Sequence, residues 1–166
     1  MSAQDRRSGP IVIGFDGSAA SEHALREAAR LLAPRPALVV VVWEAGAAFE
    51  MMEVPTTSIG VPPAPIDVRT AAEVDRALYE RAQRLAEHGA TLAREAGFEA
   101  EGLAVADDVT VADTLVSLAQ ERDAQALVVG AHGHRRLREV LLGSTSQGVI
   151  RHAECPVLVV RGPEGD

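Results

Sequence analysis

Short, nearly uninterrupted apolar runs, set apart by segments of helical period, limit the fold of this chain more than any other feature. Residues 11–15, 38–43, 126–129 and 157–160 read IVIGF, LVVVVW, ALVV and VLVV. A strand with one wet face alternates apolar and polar residues, whereas a strand covered on both faces reads as a continuous β-branched run. These four runs therefore predict doubly covered strands. Residues 99–106 alternate weakly and predict a fifth strand nearer a sheet edge.

Between the strands lie helical patterns. Ser18 is positioned to cap a helix through about Leu32, with Ala20, Ala24, Ala28 and Leu31 on its inner face, and Pro34 and Pro36 to stop it. The capping box there is incomplete, because Ser21 stands where Glu or Gln would. Ala71, Val74, Leu78, Ala82, Leu85, Gly89, Leu92 and Ala96 step by threes and fours along a long amphipathic helix that ends at Gly97. A third helix is expected from Val111 to Arg122, with Thr110 as cap and Val111, Leu115, Leu118 and Ala119 facing inward. A short last helix reaches about His152, its apolar face opened by Val149 and Ile150. Strands separated by helices require right-handed crossovers. The expectation is one α/β domain: a five-stranded parallel sheet with helices on both faces, Rossmann-like.

Composition agrees with a single packed domain. In 166 residues, 47% are hydrophobic and only 3% aromatic, so the core is built from Val, Leu, Ile and Ala. A net charge of −8 argues against nucleic acid or an anionic membrane as partner, since both need a basic surface. One cysteine, Cys155, allows neither an internal disulfide nor a multi-cysteine metal site. No signal-like or membrane-length apolar run occurs, so a cytoplasmic location is expected. The domain is expected over residues 11–161, with flexible ends at 1–10 and 162–166. Residues 44–70, with Pro55, Pro62, Pro63, Pro65 and the pair Met51-Met52, form one long loop, open to readings as padding, lid or partner surface.

The chemistry concentrates in residues 126–152. A buried strand ends at Gly130, Gly133 follows three residues on, and Gly143 precedes Ser144, Thr145 and Ser146. Glycine lets backbone N–H groups come close to a ligand. Ser144, with Gln147 three residues later, reads as a helix cap, and a helix N-terminus attracts phosphate. On spacing alone a plain reading stays open, with Gly130 ending a strand, Gly133 making a turn and Gly143 preceding a cap. There is no lysine in the chain and no P-loop. Asp16, Val42, Trp43 and Gly130 fall at strand carboxyl ends, where doubly wound sheets gather ligands.

The pattern Gly130, Gly133, Gly143, Ser144 resembles the ATP-binding motif of the universal stress protein family. The opening IVIGFDGS, ending at Ser18, resembles that family's first strand and aspartate, and Cys155-Pro-Val-Leu-Val-Val160 its last strand. The resemblance implies a Rossmann-like domain of the adenine nucleotide alpha hydrolase-like type. It implies ATP as ligand, with Mg²⁺ carried by the nucleotide. Asp16 and Val42 would meet the adenine or ribose end, Gly130 and Gly133 the ribose and phosphate, and Gly143, Ser144, Thr145 and Ser146 the phosphates. Gly14, two residues before the aspartate, joins the set by position. Asp16 has a second open role, closing an Asx-turn. The resemblance also implies a homodimer through Val157, Leu158, Val159 and Val160.

Three functions follow from different classes. The first is an ATP-binding stress-response or regulatory module without efficient catalysis. The second is a dimeric interaction protein that binds no nucleotide, and the third a slow ATP hydrolase. No Gly-x-Ser-x-Gly elbow or phosphate-clamping lysine supports strong catalysis. His132 and His134 lack a third ligand nearby, which disfavours a metal site, and Arg135, Arg136 and Arg138 offer cations to a triphosphate.

Overall fold

The computed structural model describes residues 9–46, 68–107, 109–131 and 142–162. In chain order these residues form β1 (Ile11–Gly14), α1 (Ala19–Leu32), β2 (Pro36–Trp43), α2 (Val68–Glu95), β3 (Glu99–Ala106), α3 (Val111–Glu121), β4 (Ala126–Gly130), α4 (Ser144–His152) and β5 (Val157–Val160). All strand pairs are parallel, in the spatial order β3-β2-β1-β4-β5. The expected α/β architecture is therefore present. β3 lies at one edge, where its weaker alternation placed it, and β5 lies at the other.

The sheet separates two cores by strand parity, because successive side chains point to opposite faces. Ile11, Ile13, Val39 and Val41 pack with Ala24, Leu25 and Ala28 of α1 and Ala82, Ala86 and Ala90 of α2. Val12, Val40, Leu127 and Val129 pack with Ala112, Leu115 and Ala119 of α3 and Val149 of α4. Both parities are needed, which is why the strand sequences are apolar throughout.

Small residues bring the helices close. A Cβ on Gly89 would lie 2.8 Å from side-chain atoms of Phe15 and Val39, and one on Gly102 would lie 2.5 Å from the Ala86 carbonyl oxygen. The α2 backbone thus runs directly against β3.

The structure corrects several expected helix faces. Leu31 is 69% exposed, and α1 buries Ser21, Ala24, Leu25, Ala28 and Ala29 instead. Val74, Val111 and Ile150 are also exposed. Length explains the case of Val74. The 28 residues of α2 span about 42 Å at the helical rise, whereas an 8-residue strand spans about 27 Å. Its first turns overhang the sheet, and between Val68 and Arg81 only Ala71 is buried. Val111 and Ile150 fail for a simpler reason: a helix that covers one face of a sheet buries a narrow stripe, and both lie beside it.

Most of the expected long loop, residues 47–67, lies outside the described residues, as do residues 1–8 and 163–166 of the expected flexible ends. No helix among the described residues is long and apolar enough to cross a membrane.

The Gly102 contact yields a direct test. Gly102→Ala drives a methyl group into backbone atoms and is expected to cost about 2–3 kcal/mol by urea denaturation, as overpacking does. Gly162→Ala, with nothing within 4 Å of the added carbon, should stay within about 0.5 kcal/mol of the parent.

Candidate functional site

The strand order reverses beside β1. The chain winds outward from β1 through β2 to β3, then returns to β4 on the other flank of β1. In doubly wound sheets ligands bind beyond the carboxyl ends of the strands at such a reversal. Asp16 follows β1, Gly130 ends β4, Val42 lies near the end of β2, and α4 begins at Ser144. One sheet edge carries them all.

The turn after β1 is tied by side chains. Asp16 Oδ1 accepts from the Ser18 N–H at 2.9 Å, so the Asx-turn open to Asp16 is made. Gly17 has φ +75°, a left-handed conformation that glycine takes without a Cβ penalty. Ser18 is the N-cap of α1, and its hydroxyl oxygen accepts from the Ser21 N–H at 3.1 Å. Ser21, 5% exposed, donates its hydroxyl to the Ser18 carbonyl at 3.0 Å and accepts from the Asp16 N–H at 3.4 Å. Asp16 thus takes part in the turn through both its carboxylate and its backbone N–H. Gly14 serves packing: a Cβ there would lie 3.1 Å from Leu115 Cδ1 and 3.4 Å from Val129 Cγ1.

The end of β2 is held from the opposite flank. Val42 is half-buried on the α3 and α4 side, paired in register with Val105. Trp43 points to the other side, its ring 5.6 Å from that of Tyr79. The Gly46 N–H donates to Asp75 Oδ2 at 2.9 Å and the Ala45 N–H to Asp107 Oδ1 at 3.3 Å, fixing the start of the long connection. Trp43 Nε1 and Asp75 Oδ1 are buried without a hydrogen-bond partner.

The β4–α4 connection closes on itself. Its ends meet where the Gly143 N–H donates to the Ala131 carbonyl at 2.8 Å. The Ser146 hydroxyl lies 3.1 Å from both the Ala131 and the Gly143 carbonyl oxygens. Gln147 Nε2 donates to the Leu142 carbonyl at 2.7 Å. This arrangement corrects the expected cap. Gly143, not Ser144, is the N-cap of α4, no side chain caps it, and Gln147 reaches back past it to Leu142. The Gly143 N–H and the Ser146 hydroxyl are bonded to carbonyls of the protein, and Ser146 is 1% exposed. Ser144 is exposed and Thr145 half-buried.

The first intrahelical bond of α4 runs from the Gln147 N–H to the Gly143 carbonyl at 3.0 Å. The N–H groups of Ser144, Thr145 and Ser146 therefore have no acceptor within the helix. They fan out where the helix carries about half a positive charge, and no acidic side chain lies in that first turn. Helix ends of this kind attract anions in general. Gly133, His132, His134, Arg135, Arg136 and Arg138 lie outside the described residues. Among the described residues, no group of three or more His, Cys, Asp or Glu is arranged to hold a metal.

Sequence reasoning missed three contributors here. Ala131 matters through its carbonyl and Gln147 through its amide. Gly148 lets α4 approach α3, since a Cβ there would lie 2.6 Å from Ala112 Cβ. A glycine inside a short apolar-faced helix was the available signal for the last.

A cavity of about 460 Å³ lies at the opposite, amino end of β4 and β5, lined by Val116, Asp123, Gln125, Glu154 and Cys155 among others. It is remote from the carboxyl-edge site, and the chemistry assembled at the strand ends outweighs its size. Burial pushes the Cys155 thiol above its ordinary value, against a smaller opposing backbone hydrogen bond. A raised value lowers the thiolate fraction near neutrality, and the thiolate is the reactive form. Iodoacetamide at pH 8 should therefore alkylate Cys155 more slowly in the folded protein than in urea. The gap should narrow as pH rises through the folded value, and equal rates at pH 8 would contradict the burial effect.

Comparison with known proteins adds a second line. The family model described as "Universal stress protein family" matches residues 8–161. Universal stress protein Rv2623 of Mycobacterium tuberculosis is 31% identical over 150 residues, covering 90% of this chain and 46% of its own. Universal stress protein YxiE of Bacillus subtilis is 28% identical over 151 residues, covering 91% and 97%. The chain spans about half the length of the mycobacterial relatives it matches. Among solved structures, MJ0577 of Methanocaldococcus jannaschii superposes with TM-score 0.73 at 21% identity, covering 95% of this chain and 99% of that one. A universal stress protein of Archaeoglobus fulgidus, in complex with dAMP, superposes with TM-score 0.59 at 24% identity, covering 91% and 96%.

Proposed function

This chain belongs to the universal stress protein family, and from that premise we propose that its carboxyl-edge site binds ATP, with Mg²⁺ carried on the phosphates. On this reading the protein acts as a nucleotide-dependent stress-response or regulatory module without efficient catalysis, located in the cytoplasm. The observation that carries it is the outward fan of α4 N–H groups beside the point where the strand order reverses. The dAMP complex of the Archaeoglobus fulgidus protein supports an adenine nucleotide as the ligand class.

The residue roles follow from position. Asp16, with Val42 beside it, takes the adenine or ribose end, where a carboxylate accepts from an exocyclic amine or a hydroxyl. Gly130 and Gly133 lie against ribose and phosphate. The phosphates meet the backbone N–H groups of the first α4 turn and the hydroxyls of Ser144 and Thr145, while Gly143 shapes the approach. Mg²⁺ prefers phosphate oxygens and water, so it needs no protein cage. The sequence has no lysine to clamp a phosphate, which favours sensing over turnover.

Calorimetry with MgATP tests the reading. Saturable binding near one nucleotide per chain is expected. At a hundred times its dissociation constant the ligand should add about 2.7 kcal/mol of stability, seen as a rise in melting temperature. Gly130→Val and Gly143→Val should abolish both signals. No heat at millimolar ATP, with an unchanged melting curve, would favour a nucleotide-free interaction protein. Turnover lost in Asp16→Ala would instead mark a hydrolase.

A homodimer through β5 belongs to the same proposal. The carbonyls of Pro156 and Val160 accept from the Leu127 and Ala131 N–H groups at 2.9 and 2.8 Å. By the two-residue period of a parallel ladder, the N–H and C=O groups of Val157 and Val159 face away from β4. Such an apolar edge is a template for a second strand. Light scattering should give a dimer for the parent and a monomer for Val159→Arg, and a monomeric parent would remove the dimer from the proposal.

A further inference from the structure

We infer that Ser146 and Gln147 are positioning residues of the proposed nucleotide site: they clasp the two ends of the β4–α4 connection together and so aim the α4 N–H groups, and the Ser146 hydroxyl does not touch the nucleotide. The inference rests on the nucleotide-binding reading above.

The first argument is one of donor capacity. A serine hydroxyl has one hydrogen to give. In Ser146 that hydrogen faces two carbonyl oxygens at 3.1 Å, those of Ala131 and Gly143, in a side chain that is 1% exposed. With the hydrogen turned inward, only lone pairs are left, and lone pairs repel a phosphate oxygen. A direct role toward an anion is closed to it.

The second argument concerns what those two carbonyls join. Ala131 directly follows β4, and Gly143 directly precedes α4. The Ala131 oxygen, which has two lone pairs, accepts from both the Gly143 N–H and the Ser146 hydroxyl. The Gly143 oxygen likewise serves both the Gln147 N–H and the same hydroxyl. Gln147 then uses its side chain to hold the Leu142 carbonyl at 2.7 Å. The carbonyls of Ala131, Leu142 and Gly143 are thus all tied to the start of α4. The clasp fixes that turn against the end of β4, and so against the reversal point.

Packing alone would not select a serine here. Position 146 lies on the buried stripe of α4, three residues before the fully buried Val149, where an alanine would fill the stripe without a polar group. A hydroxyl is of use at such a position only through its bonds. Aim matters because a binding group must sit within about 0.5 Å of its productive place.

The test compares Ser146→Ala and Ser146→Thr with the parent, using MgATP and adenosine as separate probes. Ser146→Ala should weaken MgATP by about tenfold, which corresponds to 1.4 kcal/mol, and adenosine by less than about twofold. Ser146→Thr, which keeps the hydroxyl, should recover most of the MgATP affinity. A phosphate-selective loss rescued by threonine is not what general destabilisation produces. Unchanged MgATP affinity in Ser146→Ala, or an equal loss for both probes, would overturn the inference while leaving the nucleotide site standing. A parent protein that binds no MgATP would overturn both. Should Ser146→Ala fail to fold, amide exchange on the parent decides: the Gly143 N–H should be protected without nucleotide, and free exchange would show that no clasp exists.

Discussion

The burial of β1 on all sides is the constraint on which the rest depends. It is four residues long, hydrogen-bonded to β2 on one flank and to β4 on the other, and Ile11, Val12 and Ile13 are all fully buried. Each such side chain contributes about 1.5–3 kcal/mol by leaving water. A central parallel strand needs a helical layer on each face, and its neighbours must be reached by crossovers. Two helices on one face and two on the other follow from that need. So does the reversal of strand order beside β1. The exposed ion pairs, such as Arg26–Glu22 and Arg76–Glu80, add little by comparison.

Polar residues buried as a whole sit, among the described residues, where helices begin. Among the described residues the buried polar side chains are Ser21, Thr114 and Ser146, and each lies in the first turn of a helix. Each hydroxyl is bonded to backbone at that helix start: Ser21 to the Ser18 carbonyl, Thr114 to the Thr110 carbonyl, Ser146 to those of Ala131 and Gly143. Buried hydroxyls cost free energy unless they are paired, and here pairing joins strand ends to helix starts. The rigid interior and the ligand edge are thereby one construction. The same end of the sheet that gathers Asp16, Val42 and Gly130 also has its loops anchored from within.

The cysteine and the cavity at the other end show the contrast. That end has volume but little convergent polar chemistry, and the thiol there is pushed toward its neutral form. Direction of donors and the topology of the strands point to the carboxyl edge.

Much of the fold was legible in the residues. Continuous runs such as 38–43 and 126–129 marked covered strands, because only burial on both faces removes the need for alternation. Ser18 and Thr110 announced helix starts, since their hydroxyls satisfy N–H groups within three residues, an interaction local enough to be read from spacing. The glycine-serine run and Asp16 were legible as strand-end and helix-start positions for the same reason. What the sequence could not decide was which hydroxyl faces outward and which faces inward. Ser144, Thr145 and Ser146 are chemically alike and adjacent, yet the helix turns about 100° per residue, and only the packing of α4 against α3 and the end of β4 sets its phase. That phase buries Ser146, exposes Ser144 and turns Ile150 to water. Local bonds are written in the sequence, whereas the phase of a helix is a property of the surface it packs on, and that surface exists only once the chain has folded.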